Sequence, residues 1–191
     1  IRPAELIPSA GAKSWYEGVI GSMSGESAKW LKSIYAAASE KKLTTSGTVL
    51  LTILNSDYNA ASETLIQKVQ NAIDPPKDAG EGYGLAPIGH VVSVKSAVEV
   101  AVAVTTNITF DTGYGWSNLQ NAINEAVTGY LLELRKAWAE STHIVVRISQ
   151  IETRILGVKG VVDVGGTKIN GVEDNLALGS YEVPAFKGAS A

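Results

Sequence analysis

Apolar and polar positions change period several times along the chain, and each change predicts an element. In "VEVAVAVTTNITF" (98–110), Val98, Val100, Val102, Val104, Thr106, Ile108 and Phe110 alternate with Glu99, Ala101, Ala103, Thr105, Asn107 and Thr109. Strict alternation predicts a strand with one face on a core and the other wet or thinly covered. At roughly 3.3 Å per residue this strand would reach about 40 Å, so a bend or bulge near Thr105–Thr106 is expected. "GTVLLTILN" (47–55) places Val49, Leu51 and Ile53 on one face and Leu50, Thr52 and Leu54 on the other, a strand buried on much of both. "HVVSVKS" (90–96) is a third strand.

Between these, the period lengthens. Leu65, Ile66, Val69 and Ile73 define a helix from about Ala61, ended by "DPP" (74–76), because the residue before a proline leaves the helical region. Trp116, Leu119, Ile123, Val127, Tyr130, Leu134 and Trp138 keep helical step over a longer helix, with Ser117 and Gln120 as its capping box. "HIVVRI" (143–148) is read as a strand, Ser149 and Glu152 as the capping box of a short helix that Gly157 closes, and Gly165–Gly166 as a tight hairpin. "LALGSYEVPAF" (176–186) supplies a last edge strand stopped near Pro184.

Nearer the N-terminus, residues 1–12 read as an irregular arm. Trp15, Tyr16, Val19, Ile20 and Met23 have helical spacing, weakened by Gly18 and Gly21. Trp30, Leu31, Ile34, Tyr35 and Ala38 predict a second short helix over Ser27–Ala38. The fold class is α+β: two small modules, each a mixed or antiparallel sheet packed with helices, preceded by short N-terminal helices. The expected divisions are 1–44 for the arm and helices, 45–96 for the first module and 97–191 for the second. "VQNAI" (69–73) and "LQNAI" (119–123) form a faint internal echo.

Composition narrows the function. Of 191 residues, 45% are hydrophobic and 18% charged, with ample material for a core. A net charge of −3 disfavours a nucleic-acid partner. There is no cysteine, which removes disulfides and thiolate metal sites and fits a reducing compartment. No apolar run approaches the roughly 20 residues of a membrane span, and no membrane partner is expected. Without an initiator Met or a signal-peptide layout, the chain reads as a piece of a longer one.

The candidate chemistry is thin. "GEGYGLAPIGH" (80–90) has the glycine density of a phosphate-cradling loop. A dinucleotide loop, however, follows a strand and opens a helix, whereas this one follows a helix and enters a strand, with Pro87 at the third glycine's place. The Gly-Lys-Ser/Thr of a P-loop is missing. Turn glycines are the better account. His90 and His143 each stand alone, without a partner at metal spacing. "GSMSG" (21–25) puts Met23 where a nucleophile elbow needs serine. The acidic residues do not pair as glycosidic chemistry requires, and Lys29, Lys32, Lys41 and Lys42 form a basic patch diluted by Glu26 and Glu40. No catalytic, metal or cofactor residue is expected. A small α+β enzyme or ligand-binding module using the inter-module cleft is the alternative.

The order of landmarks carries a resemblance. "GLAPIGHVVSV" (84–94), the alternating strand, the long helix, "VVRISQIETRILGVKGVVDV" (145–164), "ING" (169–171) and "YEVPAF" (181–186) resemble the baseplate J-like proteins. These are wedge subunits in the tail baseplates of contractile-tailed phages, prophage elements and other contractile injection particles. The resemblance covers roughly residues 45–187, and members are usually longer at the N-terminus. It implies a structural subunit of the virion tail, assembled in the bacterial host cytoplasm, without catalysis or cofactor. Its partners would be other wedge subunits and copies of itself, in a ring around the tail tube. Its contact residues are expected among Trp15, Tyr16 and Trp30 and around Tyr181, Val183 and Phe186. These aromatics lie in terminal segments with few local partners, and a last strand offers unpaired backbone to a neighbour.

Overall fold

The computed structural model describes residues 31–36, 47–141 and 143–191. The chain divides into two compact units, Ile1–Ala97 and Val98–Ala191, and the class is α+β.

The first unit contains β1 (Leu31–Ala36), β2 (Gly47–Ile53), α1 (Glu63–Ile73) and β3 (His90–Ser96). Its sheet is mixed, in the order β1-β2-β3, with β1 antiparallel and β3 parallel to β2. β2 and β3 are parallel because α1 carries the chain back across the sheet between them. Val49, Leu51 and Ile53 of β2 and Val92 and Val94 of β3 bury one face against Leu65, Val69 and Ile73 of α1. Each such side chain contributes about 1.5–3 kcal/mol when fully buried. Ser62 caps α1, its Oγ accepting from Leu65 N–H at 3.2 Å.

The segment 31–36 is a strand where helical spacing predicts a helix. Six residues carry too few turns to decide the period, and pairing with β2 from Leu31↔Ile53 to Ala36↔Thr48 decides it instead. The rest of that expected helix, and the whole of the one expected near Trp15, lie outside the described residues.

The second unit runs β4 (Val98–Phe110), α2 (Trp116–Lys136), β5 (Val145–Val146), α3 (Ile148–Leu156), β6 (Val161–Ile169), β7 (Leu176–Ala177) and β8 (Glu182–Ser190). β4 is the central strand of a mixed sheet, antiparallel to β6 and parallel to β8, while β5 and β7 form a small antiparallel pair. α2 packs along β8, α3 along β6, and the helices touch each other. Val102 and Val104 of β4, Leu119, Ile123, Val127, Tyr130 and Leu131 of α2, and Ile151 and Ile155 of α3 are buried. Val100, Ile108 and Leu134, expected in the same core, are only half-buried. Between the pairs Thr105↔Lys168 and Asn107↔Gly165, Thr106 faces two residues, Gly166 and Thr167, so the bulge expected in β4 near Thr105–Thr106 lies instead in β6, opposite Thr106. Thr106 is buried, and its hydroxyl meets that of Thr167 at 2.7 Å.

Four local features differ from what the sequence pattern predicts. α2 begins at Trp116 behind Gly115, whose N–H donates to Asn118 Oδ1 at 2.7 Å, so the expected box at Ser117 and Gln120 sits two residues too late. α3 begins at Ile148 with no side-chain cap, which places Ser149 inside the helix and cuts the preceding strand to two residues. Gly165–Gly166 is no hairpin: β6 runs through it, with Gly166 at φ 63°. The tight turn is Asn170–Gly171, at φ 52° and 82°, closed by Ile169 N–H to Val172 O (2.9 Å) and Val172 N–H to Ile169 O (3.0 Å). Two successive positive φ values are the signature of a type I′ turn, which favours Asn-Gly. Finally, β8 runs on through Pro184 to Ser190, because an edge strand tolerates a proline whose missing N–H would point away from the ladder.

Candidate interaction surfaces

The glycine-rich loop is built on the end of α1. Leu85 N–H and Ala86 N–H donate to Ala72 O and Ile73 O at 2.9 and 2.7 Å, so the loop folds back over the helix terminus. Gly84 permits this approach, because a Cβ there would run into Ile73 O and Ile73 C. Gly89 N–H closes the loop onto Gly80 O at 2.8 Å. The loop follows a helix and leads into β3, so no helix N-terminus stands behind it.

Asp74, 1% exposed, fastens this loop to the sheet. Its Oδ1 accepts Gly80 N–H at 2.9 Å and its Oδ2 accepts Val92 N–H at 2.8 Å. One turn earlier, Gln70 Nε2 donates to Val92 O at 2.9 Å while Gln70 Oε1 accepts Val94 N–H at 2.8 Å. Among the described residues β3 is the edge of its sheet, and side chains of α1 and its C-cap occupy backbone groups a neighbouring strand would use.

The same device recurs at β8. Arg135 Nε donates to Pro184 O at 2.6 Å, and Asn124 Oδ1 accepts Ala189 N–H at 3.2 Å, both from α2. Burial lowers the pKa of Arg135 below its ordinary value, and the charge of Glu99 opposes that shift. The last strand therefore does not offer the open backbone expected of it, since α2 side chains hold groups along its free edge.

Of the expected contact residues, Trp15, Tyr16 and Trp30 lie outside the described residues. Tyr181 and Phe186 are half-buried. Val183 is 0% exposed and sits in a run with Pro184 and Ala185, also buried, so both faces of β8 are covered there and Val183 is not on a free surface. Trp138 is likewise fully buried.

The large apolar side chains that do reach solvent are others. Tyr83 is 77% and Ile88 81% exposed, both on the fastened glycine loop, with Asp78 and Glu81 exposed beside them. In the second unit, Leu156 and Val162 flank the α3–β6 turn, and the Tyr114 ring lies over Gly160 in that turn. Val162 falls where β6 shifts register against β4, between the partners of Thr109 and Phe110. The sequence gives one usable signal for the loop pair, since both residues stand among turn-forming glycines and Pro87 with no periodic face to join.

Other chemistry is sparse. His90 is pushed below the ordinary histidine pKa by burial, and His143 is exposed. Among the described residues, no group of three His, Cys, Asp or Glu is placed to hold a metal ion. An open recess on α2 is lined by Asn121, Asn124, Glu125, Thr128 and Gly129, which bring two amides, one carboxylate and one hydroxyl to it.

Comparison with known proteins adds an independent line. Residues 25–96 match the family model of the baseplate J-like central domain, and residues 102–190 match that of the baseplate J-like protein C-terminal domain. The chain is 34% identical over 138 residues to the phage-like element PBSX protein XkdT of Bacillus subtilis (strain 168), covering 72% of this chain and 38% of that protein. It is 36% identical over 138 residues to the uncharacterized protein YqbT of the same strain, with the same coverages. The chain thus spans about 38% of the length of the curated relatives it matches. Among solved structures, it is similar to a chain in the cryo-EM structure of the anti-feeding prophage baseplate, 6-fold symmetrised, with a TM-score of 0.40 and 12% identity over 78% of this chain and 30% of that one.

Proposed function

The chain belongs to the baseplate J-like family, and on that premise we propose that it is a structural subunit of a contractile-tail baseplate. The observation that carries this reading is the succession of the family's central and C-terminal domains along residues 25–96 and 102–190. In this role the protein joins other wedge subunits and copies of itself in a ring around the tail tube, within the virion or an injection particle. The subunit is made in the host cytoplasm. Its work is non-enzymatic, and its chemistry lies in its surfaces.

Sealed strand edges at β3 and β8 support contact through side chains rather than through sheet extension at those edges. Tyr83 and Ile88 fit such a contact because the loop beneath them is already held in place. Ordering a flexible loop on binding costs affinity, and a preformed one avoids that cost. Tyr181 and Phe186, and the expected N-terminal trio Trp15, Tyr16 and Trp30, remain part of the proposed contact set.

Co-expression of the full-length protein with its neighbouring tail genes, followed by pull-down and electron microscopy, tests the reading. Recovery in a ring-shaped particle is expected. A protein that never enters tail particles and instead turns over a small molecule would overturn it.

A further inference from the structure

Asn170–Gly171 forms the turn after β6, and the same dipeptide is a chemical liability. In an Asn-Gly pair the following residue has no side chain to shield its amide nitrogen, and that nitrogen can attack the asparagine side chain. Asn170 and Gly171 are both exposed. Burial therefore offers this pair no protection.

The hydrogen bonding offers another kind. Asn170 N–H donates to Ala103 O at 2.8 Å. Its side chain then continues the ladder: Oδ1 accepts Ala103 N–H at 2.9 Å, and Nδ2 donates to Ala101 O at 2.8 Å. The carboxamide thus stands in for a backbone peptide beside β4, just past the end of β6. The turn itself is closed by the paired Ile169 and Val172 bonds.

We infer that Asn170 is a site of spontaneous deamidation, with water as its only co-reactant, and that the ladder bonds to β4 hold it unreacted until the turn opens. In the reaction the Gly171 nitrogen forms a bond to Asn170 Cγ and gives up its proton. The Cγ–Nδ2 bond breaks, and Nδ2 leaves as ammonia carrying that proton. Water then opens the resulting cyclic imide at either carbonyl, leaving aspartate or isoaspartate. No electron is transferred. The nitrogen expelled is the one that donates to Ala101 O, and Cγ must swing onto Gly171, so the bonds to β4 must break first. The product is also marked by what it loses, because a carboxylate in place of Nδ2 faces the Ala101 carbonyl with no proton to donate. Opening therefore leads to a turn that no longer closes as well.

The inference is independent of the baseplate reading. The purified protein is held at mildly alkaline pH, both folded and in urea, and residue 170 is followed by peptide mass spectrometry. Conversion in urea with conversion slower by roughly tenfold or more in the folded protein is expected, since local opening then limits the rate. Gly171→Ala should slow the reaction in urea, because the added methyl crowds the attacking nitrogen. Asn170→Asp should unfold at lower urea than the parent protein. Equal rates in the two states, or no conversion at residue 170 in urea, would overturn the inference. So would an Asn170→Asp protein as resistant to urea as the parent.

Discussion

Replacing Asp74 by alanine removes two hydrogen bonds at once, and their settings differ. Val92 N–H is buried, and among the described residues Asp74 Oδ2 is the acceptor placed on it. A buried donor left without a partner costs about 1–3 kcal/mol. Gly80 N–H is only partly buried, and water can replace the lost carboxylate there, so that bond contributes about 0.5–1.5 kcal/mol. Asp74→Ala should therefore destabilise the first unit by about 2–4 kcal/mol. Asp74→Asn should lose nearly as much, since one acceptor oxygen remains but the amide turns a second donor toward a backbone N–H. With two compact units the chain need not unfold in one step, so residue-resolved amide exchange is the assay of choice, supported by urea unfolding. Exchange at Val92 should accelerate strongly, while Val94, held by Gln70 Oε1, keeps more of its protection. Unchanged exchange at Val92, or a loss below about 0.5 kcal/mol, would show that the carboxylate does not hold the β3 edge.

Three further outcomes follow from burial and exposure. Leu131→Ala should cost about 2–5 kcal/mol at a site 1% exposed, and Leu134→Ala clearly less; the reverse order in urea unfolding would mean α2 is wrongly phased. Thr106→Val should cost about 1–3 kcal/mol by stranding the Thr167 hydroxyl, and adding Thr167→Val should recover part of that; strictly additive losses would argue against the buried pair. Ile88→Asp and Tyr83→Asp should change stability by no more than about 0.5 kcal/mol while reducing incorporation into particles in the co-expression assay; undiminished incorporation would remove the loop from the contact set.

Much of the architecture was legible because the buried faces repeat. The strand 98–110 and the strand 90–96 fall where alternation puts them, and α1 ends at Ile73, ahead of its two prolines. Burial in α2 follows Leu119, Ile123 and Val127, as their spacing requires. The echo between residues 69–73 and 119–123 proves to be one of core positions: Val69, Ile73, Leu119 and Ile123 are buried, but Gln70 binds β3 whereas Gln120 is exposed. What escaped depended on partners distant in sequence. Residues 31–36 became a strand through pairing with β2, and a polar residue such as Ser149 reads equally well as cap or as exposed helix surface. Asn170–Gly171 is a local signal for the turn, with which the glycine pair Gly165–Gly166 competes. For the surfaces, aromatic content pointed to the terminal segments, while the most exposed apolar residues described are a tyrosine and an isoleucine on the glycine loop. Gln70, Asp74, Asn124 and Arg135 give no sign in sequence that they hold strand edges.

The pairing of β4 with β8 has a consequence for synthesis. Val98, the first residue of β4, pairs with Glu182, so the centre of the second unit waits for a segment made much later. At roughly 5–20 residues per second, translation takes several seconds to cover that interval. Until β6 emerges, a valine-rich strand stands on the ribosome with both flanks open, and the flank that β8 covers stays open longer still. Contacts so distant in sequence also fold slowly once both strands are present. The nascent second unit is thus a stage exposed to aggregation, and slowing synthesis between residues 111 and 181 should lower the soluble yield more than slowing it before residue 31.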